Sequence, residues 1–455
     1  MAPTDSKIVR GSAEYKPTYQ RFVLKKKNYT QQYSHIYVSR LLQLRDAVLR
    51  RIEECETTAP VLPKIIDLRV GVECIIVGTT LKQLDKKPDL FAALTSDEKI
   101  LSLASLSLKM ATPNDELILE DESGRVELTG NINIGELVTG VVLGVRGRML
   151  DGNAGFHVDE LLLPSLPPQL PLPERTESQY IALVSGLAIG RDTTDKPLKH
   201  HVLMDYLAGR LGGDDEKRFV AQIVRTIFVG NSVDTDSSVA HEAGTMPKKK
   251  TTEQLTEDAA PMKNLDELLS TLACAMPVDV MPGVSDPSNH ALPQQSFHAC
   301  LFPHSARFAS FRAVTNPYEA SVGGVELLGH AGQPLHSILQ STLPVDDKMM
   351  DGEEESGETD EALDVLERCL HWRNVAPTAP DLLAAFPVEK SDPFVLERCP
   401  HVFFAGNAKA FGTRRLQGPK GQSVQLVLVP SFAETSTIVL VDLKDLSSFP
   451  ITIDL

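Results

Sequence analysis

Four apolar runs in this 455-residue chain end in short glycine-containing loops: 181-IALVSGLAIG-190, 226-TIFVGNSVD-234, 278-VDVMPGVSDPSN-289 and 402-VFFAGNAKA-410. An apolar run followed by Gly and a polar residue reads as a buried strand entering a loop. In open α/β sheets that carboxyl edge is where ligands sit. Two divalent ions activating a bridging water would need roughly six to eight oxygen and imidazole ligands there. The loops offer Ser185 and Leu187, then Asn231 and Asp234, then Val284, Ser285 and Asp286, and finally Asn407 and Lys409. Most of these are apolar, amide, hydroxyl or cationic. Only Asp234 and Asp286 are carboxylates, and Asp286 precedes Pro287, a common turn-initiating pair.

Histidines between His200 and His401 are the remaining source of ligands. Gly329-His330-Ala331-Gly332 superficially matches a Gly-His-x-His motif, but Gly332 fills the second ligand position. A lone His beside Gly on a loop reads as a surface or capping residue.

The elements that must position these loops follow from periodicity. Residues 34–54 show helical spacing, with Ile36, Leu41, Leu44, Val48 and Ile52 on or near one face and Ser34 as N-cap. Residues 65–163 read as short strands: 65-IIDLRVGVECIIVGTTLK-82 as two runs, 115-DELILEDESGRVELTG-130 as a hairpin turning at Ser123-Gly124, and two more strands around Asp151–Gly155. About five strands in that length predict an OB-type barrel. The tract between Phe91 and Pro113 is an insertion in it. A proline-rich stretch, 164-PSLPPQLPLPER-175, reads as a stiff linker. Beyond it, strands alternate with helical stretches such as 214–228, 262–276 and 361–372, which argues for a layered α/β fold. Strands return at 423–432 and 435–443. Trp372, the only tryptophan, reads as a packing anchor. The expected division is an N-terminal arm and helix (1–64), an OB-fold domain (65–164), a linker (165–175) and an α/β domain (176–455). Polar insertions near 232–261 and 345–361 read as disordered, having too little apolar surface to offset ordering entropy.

Composition narrows the function. Hydrophobic residues make up 42% and charged residues 23%, ordinary for a globular protein. No apolar run approaches the ~20 residues that span a bilayer, and the N-terminus lacks the apolar core of a secretory signal, so an intracellular protein without membrane contact is expected. Six scattered cysteines without a Cys-x-x-Cys pair predict neither a zinc site nor a disulfide framework, and read mostly as buried thiols. A net charge of −16 disfavours direct DNA contact. The exception is a basic arm, Arg21 and Lys25–Lys27, whose plain reading is a solvated turn. The barrel strands carry Phe156 and almost no other aromatic, so single-strand binding by stacking is disfavoured. Residues 246-MPKKKT-251 are too short a basic run to stand as a nuclear localisation signal.

The four strand–loop units resemble those of calcineurin-like two-metal phosphoesterases. These carry Asp-x-His, Gly-Asp-x-x-Asp, Gly-Asn-His-Asp/Glu and Gly-His-x-His in this order. The order of helix, OB barrel, linker and degenerate phosphoesterase domain further resembles the B subunits of replicative DNA polymerases, the delta-type most of all. The strings 112-TPNDELILEDESGRVEL-128, 277-PVDVMPGVSDPSN-289, 293-PQQSFHACLFP-303, 314-VTNPY-318 and 392-DPFVLERCPHVFFAGN-407 carry the match.

The resemblance implies a nuclear, non-catalytic accessory subunit without cofactors. Ser185, Leu187, Asn231, Asp234, Val284, Ser285, Asp286, Asn407 and Lys409 would stand at degenerate metal positions. Implied partners are the C-terminal cysteine-rich domain of the polymerase delta catalytic subunit and a third, clamp-binding subunit, with polymerase zeta as a further possible host. Two alternatives stay open: a residual metal-dependent phosphodiesterase or nuclease, and a single-stranded-DNA-binding OB module.

Overall fold

Residues 181–184 alternate between two cores, and that alternation organises half the molecule. In this computed structural model Ile181 and Leu183 face one apolar layer, whereas Ala182 and Val184 face another. The structure describes residues 8–25, 32–55, 57–87, 109–153, 155–190, 196–234, 252–344, 354–387 and 390–454.

The chain begins with a short strand, β1 (Tyr15–Pro17), and helix α1 (Ser34–Glu54). Five strands then close a barrel in the order β2-β3-β4-β6-β5: β2 (Glu73–Gln83), β3 (Glu116–Glu120), β4 (Arg125–Gly130), β5 (Val142–Met149) and β6 (Phe156–Leu162). This is the expected OB barrel, with one difference. The two runs read in 65–82 are a 3-10 turn at Ile65–Asp67 followed by a single long strand. Asp121 shapes the β3–β4 turn by accepting the N–H groups of Ser123 and Gly124 at 2.7 and 3.0 Å. Leu41, Leu44, Val48 and Ile52 of α1 pack on Ile75, Val77, Val142 and Leu162 of the barrel. The helix N-cap is Tyr33 without a side-chain cap, and Ser34 is the first helical residue.

After the barrel come β7 (Tyr180–Val184), α2 (Lys196–Leu207), α3 (Asp214–Val220), β8 (Ile223–Val229), α4 (Thr252–Ala273) and β9 (Val278–Met281). Then follow β10 (Phe311–Ala313), β11 (Tyr318–Val322), β12 (Val325–His330), α5 (Gln333–Ser341) and α6 (Glu354–His371). The chain closes with β13 (Val402–Ala408), β14 (Gly412–Gln417), β15 (Ser423–Pro430), α7 (Phe432–Thr435), β16 (Thr437–Asp442) and β17 (Ser448–Thr452). They form two six-stranded mixed sheets, ordered β1-β11-β12-β13-β15-β14 and β10-β9-β8-β7-β16-β17. Alternate residues of each sheet meet in a shared core, for example Leu183, Val229, Phe404, Val427 and Val439. The outer face of one sheet packs on α2 and α4, and that of the other on α6 and part of the barrel. Trp372 is buried in this last core.

Several expectations need correction. The helix read at 214–228 stops at Val220, because every residue of 223–229 is buried as a strand between β7 and β9. Helix α4 starts at Thr252, within the stretch read as disordered. Met262, Leu265, Leu268, Leu269 and Leu272 pack its C-terminal part into the core, and the helix extends N-terminally past Pro261 to Thr252. Helix α6 likewise starts at Glu354, inside the acidic block. Its carboxylates find cations distant in sequence: Glu358 meets Lys409 at 2.6 Å, and Asp360 meets Arg414 at 3.1 Å. The proline-rich stretch is docked rather than spacing free elements: Gln169 Nε2 donates to Pro400 O and Ser423 O at 2.9 and 2.8 Å.

The N-terminal region also carries structure that periodicity did not show. β1 pairs antiparallel with β11, and Arg21 binds Glu319 at 2.9 Å, so it is not a solvated cation. Of the cysteines, Cys74, Cys369 and Cys399 are buried, Cys55 is intermediate, and Cys274 and Cys300 are exposed. Lys26, Lys27, most of the tract between Phe91 and Pro113, the MPKKKT run and residues 345–353 lie outside the described residues. Among the described residues no helix is long and apolar enough to cross a membrane.

Candidate functional site

The loops after β7, β8, β9, β12 and β13 converge where the carboxyl ends of the two sheets meet. Strands β7, β8 and β9 are mutually parallel, as are β12, β13 and β15. That arrangement brings the loops together. Glycine lets the loops touch at backbone distance. A Cβ on Gly230 would lie 2.5 Å from Ala331 Cβ and 2.9 Å from Gly283 Cα, and one on Gly406 would lie 2.6 Å from Val229 O. Asn231 and Asn407 hold left-handed φ values of 53° and 56°, a region that Asn tolerates better than most residues.

The side chains expected at metal positions are committed elsewhere. Buried Ser185 donates to Val429 O and Pro430 O at 3.0 and 2.9 Å, and its Oγ accepts the Asn407 N–H at 3.0 Å. Asn407 Nδ2 donates to Ala331 O at 2.9 Å and Val229 O at 3.3 Å, crossing between the sheets. Asn231 Oδ1 accepts the Ser285 N–H at 3.3 Å, and Ser285 Oγ donates to Val233 O at 2.6 Å. Asp286 staples two loops, its carboxylate oxygens accepting Val233 N–H at 2.8 Å and Gly283 N–H at 2.7 Å. Burial pushes the Asp286 carboxyl up to about 6, although these N–H donors oppose the shift.

The other positions diverge. Leu187 is buried among apolar side chains, Val284 is exposed, and Lys409 turns to Glu358. Asp234 joins the cluster through its backbone, donating to Ile189 O at 2.9 Å. The structure thus links Ser185 with Asn407, gathers Asn231, Ser285 and Asp286 around the neighbouring Val233 backbone, and leaves Leu187, Val284 and Lys409 out of both groups. Among the described residues no three His, Cys, Asp or Glu side chains are grouped to hold a metal ion.

Two features escaped the sequence reading. His330 is not a surface residue: it is fully buried at the end of β12. Its Nδ1 accepts the Gly332 N–H at 3.1 Å, while Nε2 has no hydrogen-bond partner among the described residues. Burial pushes its imidazole down to about 3. The second feature is an amide cluster behind the Gly283 loop. Gln294 Nε2 donates to Gly283 O at 3.0 Å, and Asn316 donates to Gln294 Oε1 at 2.7 Å. Both amides lie in the strings PQQSF and VTNPY, but nothing local in those strings signals a shared network. Chemically the arrangement binds loops together: most of its polar side chains bond to backbone groups and its glycines bring the backbones into contact.

Known proteins match along nearly the whole chain. The family model for the DNA polymerase alpha/epsilon B subunit matches residues 181–413, and that for the DNA polymerase delta subunit OB-fold domain matches residues 32–161. The DNA polymerase delta small subunit of Arabidopsis thaliana is 38% identical over 96% of this chain and 94% of its own. DNA polymerase delta subunit 2 of Drosophila melanogaster is 36% identical over 93% and 94%, and the small subunit of Saccharomyces cerevisiae 32% identical over 95% and 91%. A 5'-nucleotidase precursor from Thermus thermophilus aligns with a TM-score of 0.23 at 10% identity, too distant to bear on the argument. The chain belongs to the B-subunit family of the DNA polymerases, among the delta small subunits.

Proposed function

We propose that this chain is a non-catalytic accessory subunit of DNA polymerase delta, working in nuclear DNA replication and repair. The observation that carries the reading is the hydrogen-bonded network at the sheet edge. On this reading Ser185, Asn231, Asp286 and Asn407 are former metal-ligand positions of a phosphoesterase, and the hydrogen bonds they make tie loop backbones to one another. These four side chains spend their donors and acceptors on protein partners, which leaves an ion little to bind at those positions. The OB barrel and the phosphoesterase-like sandwich are then a rigid body that presents surfaces to partners. We assign as those partners the cysteine-rich C-terminal domain of the catalytic subunit and a third, clamp-binding subunit, with polymerase zeta as a further host.

A nuclease assay on purified chain tests the loss of chemistry. With Mn²⁺ and single- or double-stranded DNA, hydrolysis is expected to stay at background. Turnover that disappears in Asn231→Ala or Asp286→Asn would refute it.

A further inference from the structure

A groove of about 820 Å³ runs between α1, the proline-rich segment and the β14–β15 hairpin. Three guanidinium groups line it, two of them those of Arg50 and Arg373. Burial, and after it the charge of Arg50, push Arg373 down from its ordinary value. Each Nε donates only to a backbone carbonyl, Arg50 to Asp46 O at 3.2 Å and Arg373 to Leu396 O at 3.1 Å. Neither makes an ion pair with a carboxylate among the described residues. The other two cations in the groove are already engaged: Lys420 meets Glu54 at 2.6 Å, and Arg415 Nε donates to Gln425 at 3.0 Å.

The backbone at Arg373 adds a second observation. It lies just past α6 with φ 53°, and the bonds Arg373 N–H to Leu370 O and Asn374 N–H to Cys369 O make it the left-handed residue of a Schellman cap. Glycine fills that position without strain, whereas arginine there is strained. Helix capping therefore does not explain the arginine, and the half-buried cation it delivers to the groove does.

The opposite wall is apolar. The segment's inner groups are taken, Pro168 O by Cys399 N–H and Leu170 O by His401, while Leu170 and Leu172 stay 43% and 37% exposed. We infer that this groove receives an extended acidic segment of a partner subunit, with carboxylates on Arg50 and Arg373 and an apolar side chain against Leu170 and Leu172. Charge selects a peptide over nucleic acid. Glu54, Glu397 and Asp445 line the same groove and would repel a run of phosphates, whereas single carboxylates spaced by apolar residues fit between them. The inference rests on the scaffold reading and names one of its contact surfaces.

The test uses the full chain and a fluorescein-labelled peptide of alternating leucine and glutamate, read by anisotropy. Saturable binding is expected, weakened about tenfold or more in Arg50→Glu and in Arg373→Gly. Arg373→Gly is the sharper variant, because glycine suits the backbone there, so its thermal midpoint should hold or rise while binding falls. Equal binding of a leucine–glutamine peptide, or unchanged binding in both variants, overturns the inference. Tighter binding of oligothymidylate that is lost in the same variants overturns the peptide as occupant. Co-elution with the polymerase catalytic subunit is read separately. Its failure with peptide binding intact counts against the scaffold reading and not against the groove.

Discussion

Arg40 Nε lies 2.6 Å from Asp392 Oδ2, and both side chains are fully buried. The same guanidinium donates to Gly140 O, Pro377 O and Ala379 O at 2.9, 2.7 and 2.9 Å. One arginine on α1 therefore joins the barrel loop at Gly140 to two segments of the α/β region. Asp392 is held in turn by Asn374 Nδ2 at 3.2 Å and by its own acceptance of the Phe394 N–H at 2.9 Å. Guanidinium and carboxylate each keep further hydrogen-bond partners besides one another, which is the condition for a buried ion pair to be tolerated. The node fixes the barrel against the two sheets.

Removing one partner strands the other charge. Arg40→Met or Asp392→Ala should cost about 3–5 kcal/mol of stability, read from urea unfolding. An unchanged unfolding midpoint would mean the node does not couple the two parts.

Close glycine contact at the sheet edge is equally testable. Gly230 has φ 74° and no room for a methyl group beside Ala331. Gly230→Ala should lose about 2 kcal/mol or more, from backbone strain and overpacking together. A stability within error of the parent would show that the loops can part.

The Asn407 amide bridges the two sheets. Asn407→Ala leaves the carbonyls of Ala331 and Val229 without that donor and should cost about 1–3 kcal/mol. DNA hydrolysis with Mn²⁺ should remain at background in parent and variant alike. A change in hydrolysis without a change in stability would reverse the structural assignment of this residue.

His330 gives the fold a pH dependence. Its imidazole titrates at about 3 when folded, against an ordinary value of 6.5. Between those values the unfolded chain binds the proton and the folded chain does not, so stability falls as pH drops below 6.5. The slope approaches about 1.4 kcal/mol per pH unit for this one group. His330→Gln removes the contribution. The stability of the parent relative to the variant, measured by urea unfolding, should therefore shrink as pH falls from 6.5 towards 4. A difference that is constant with pH would show that His330 is accessible to protons in the folded state.

Sequence carried the local and periodic parts of this architecture. Helix α1 spans the expected 34–54, and the strands β7, β8 and β9 end at the glycine loops where apolar runs give way to polar residues, whereas β13 runs on through Gly406 to Ala408. What it concealed depends on distant partners. Arg40 and Asp392 are 352 positions apart, and the α6 acids Asp360 and Glu358 are paired with Arg414 of β14 and Lys409, 54 and 51 positions further along the chain. Strand β1 is only three residues long and is fixed by pairing with β11, so it leaves no periodic trace. At the site, residue types showed how few carboxylates and imidazoles the four loops carry. They did not show that Ser185 and Asn407 bond to each other, because that contact needs both sheets in place.

The central claim is that this fold serves assembly and not hydrolysis. Its most direct test is co-expression with the cysteine-rich C-terminal segment of the polymerase delta catalytic subunit, followed by size-exclusion chromatography. The account predicts a single co-eluting peak for the two chains. Separate elution of soluble, folded partners would contradict it.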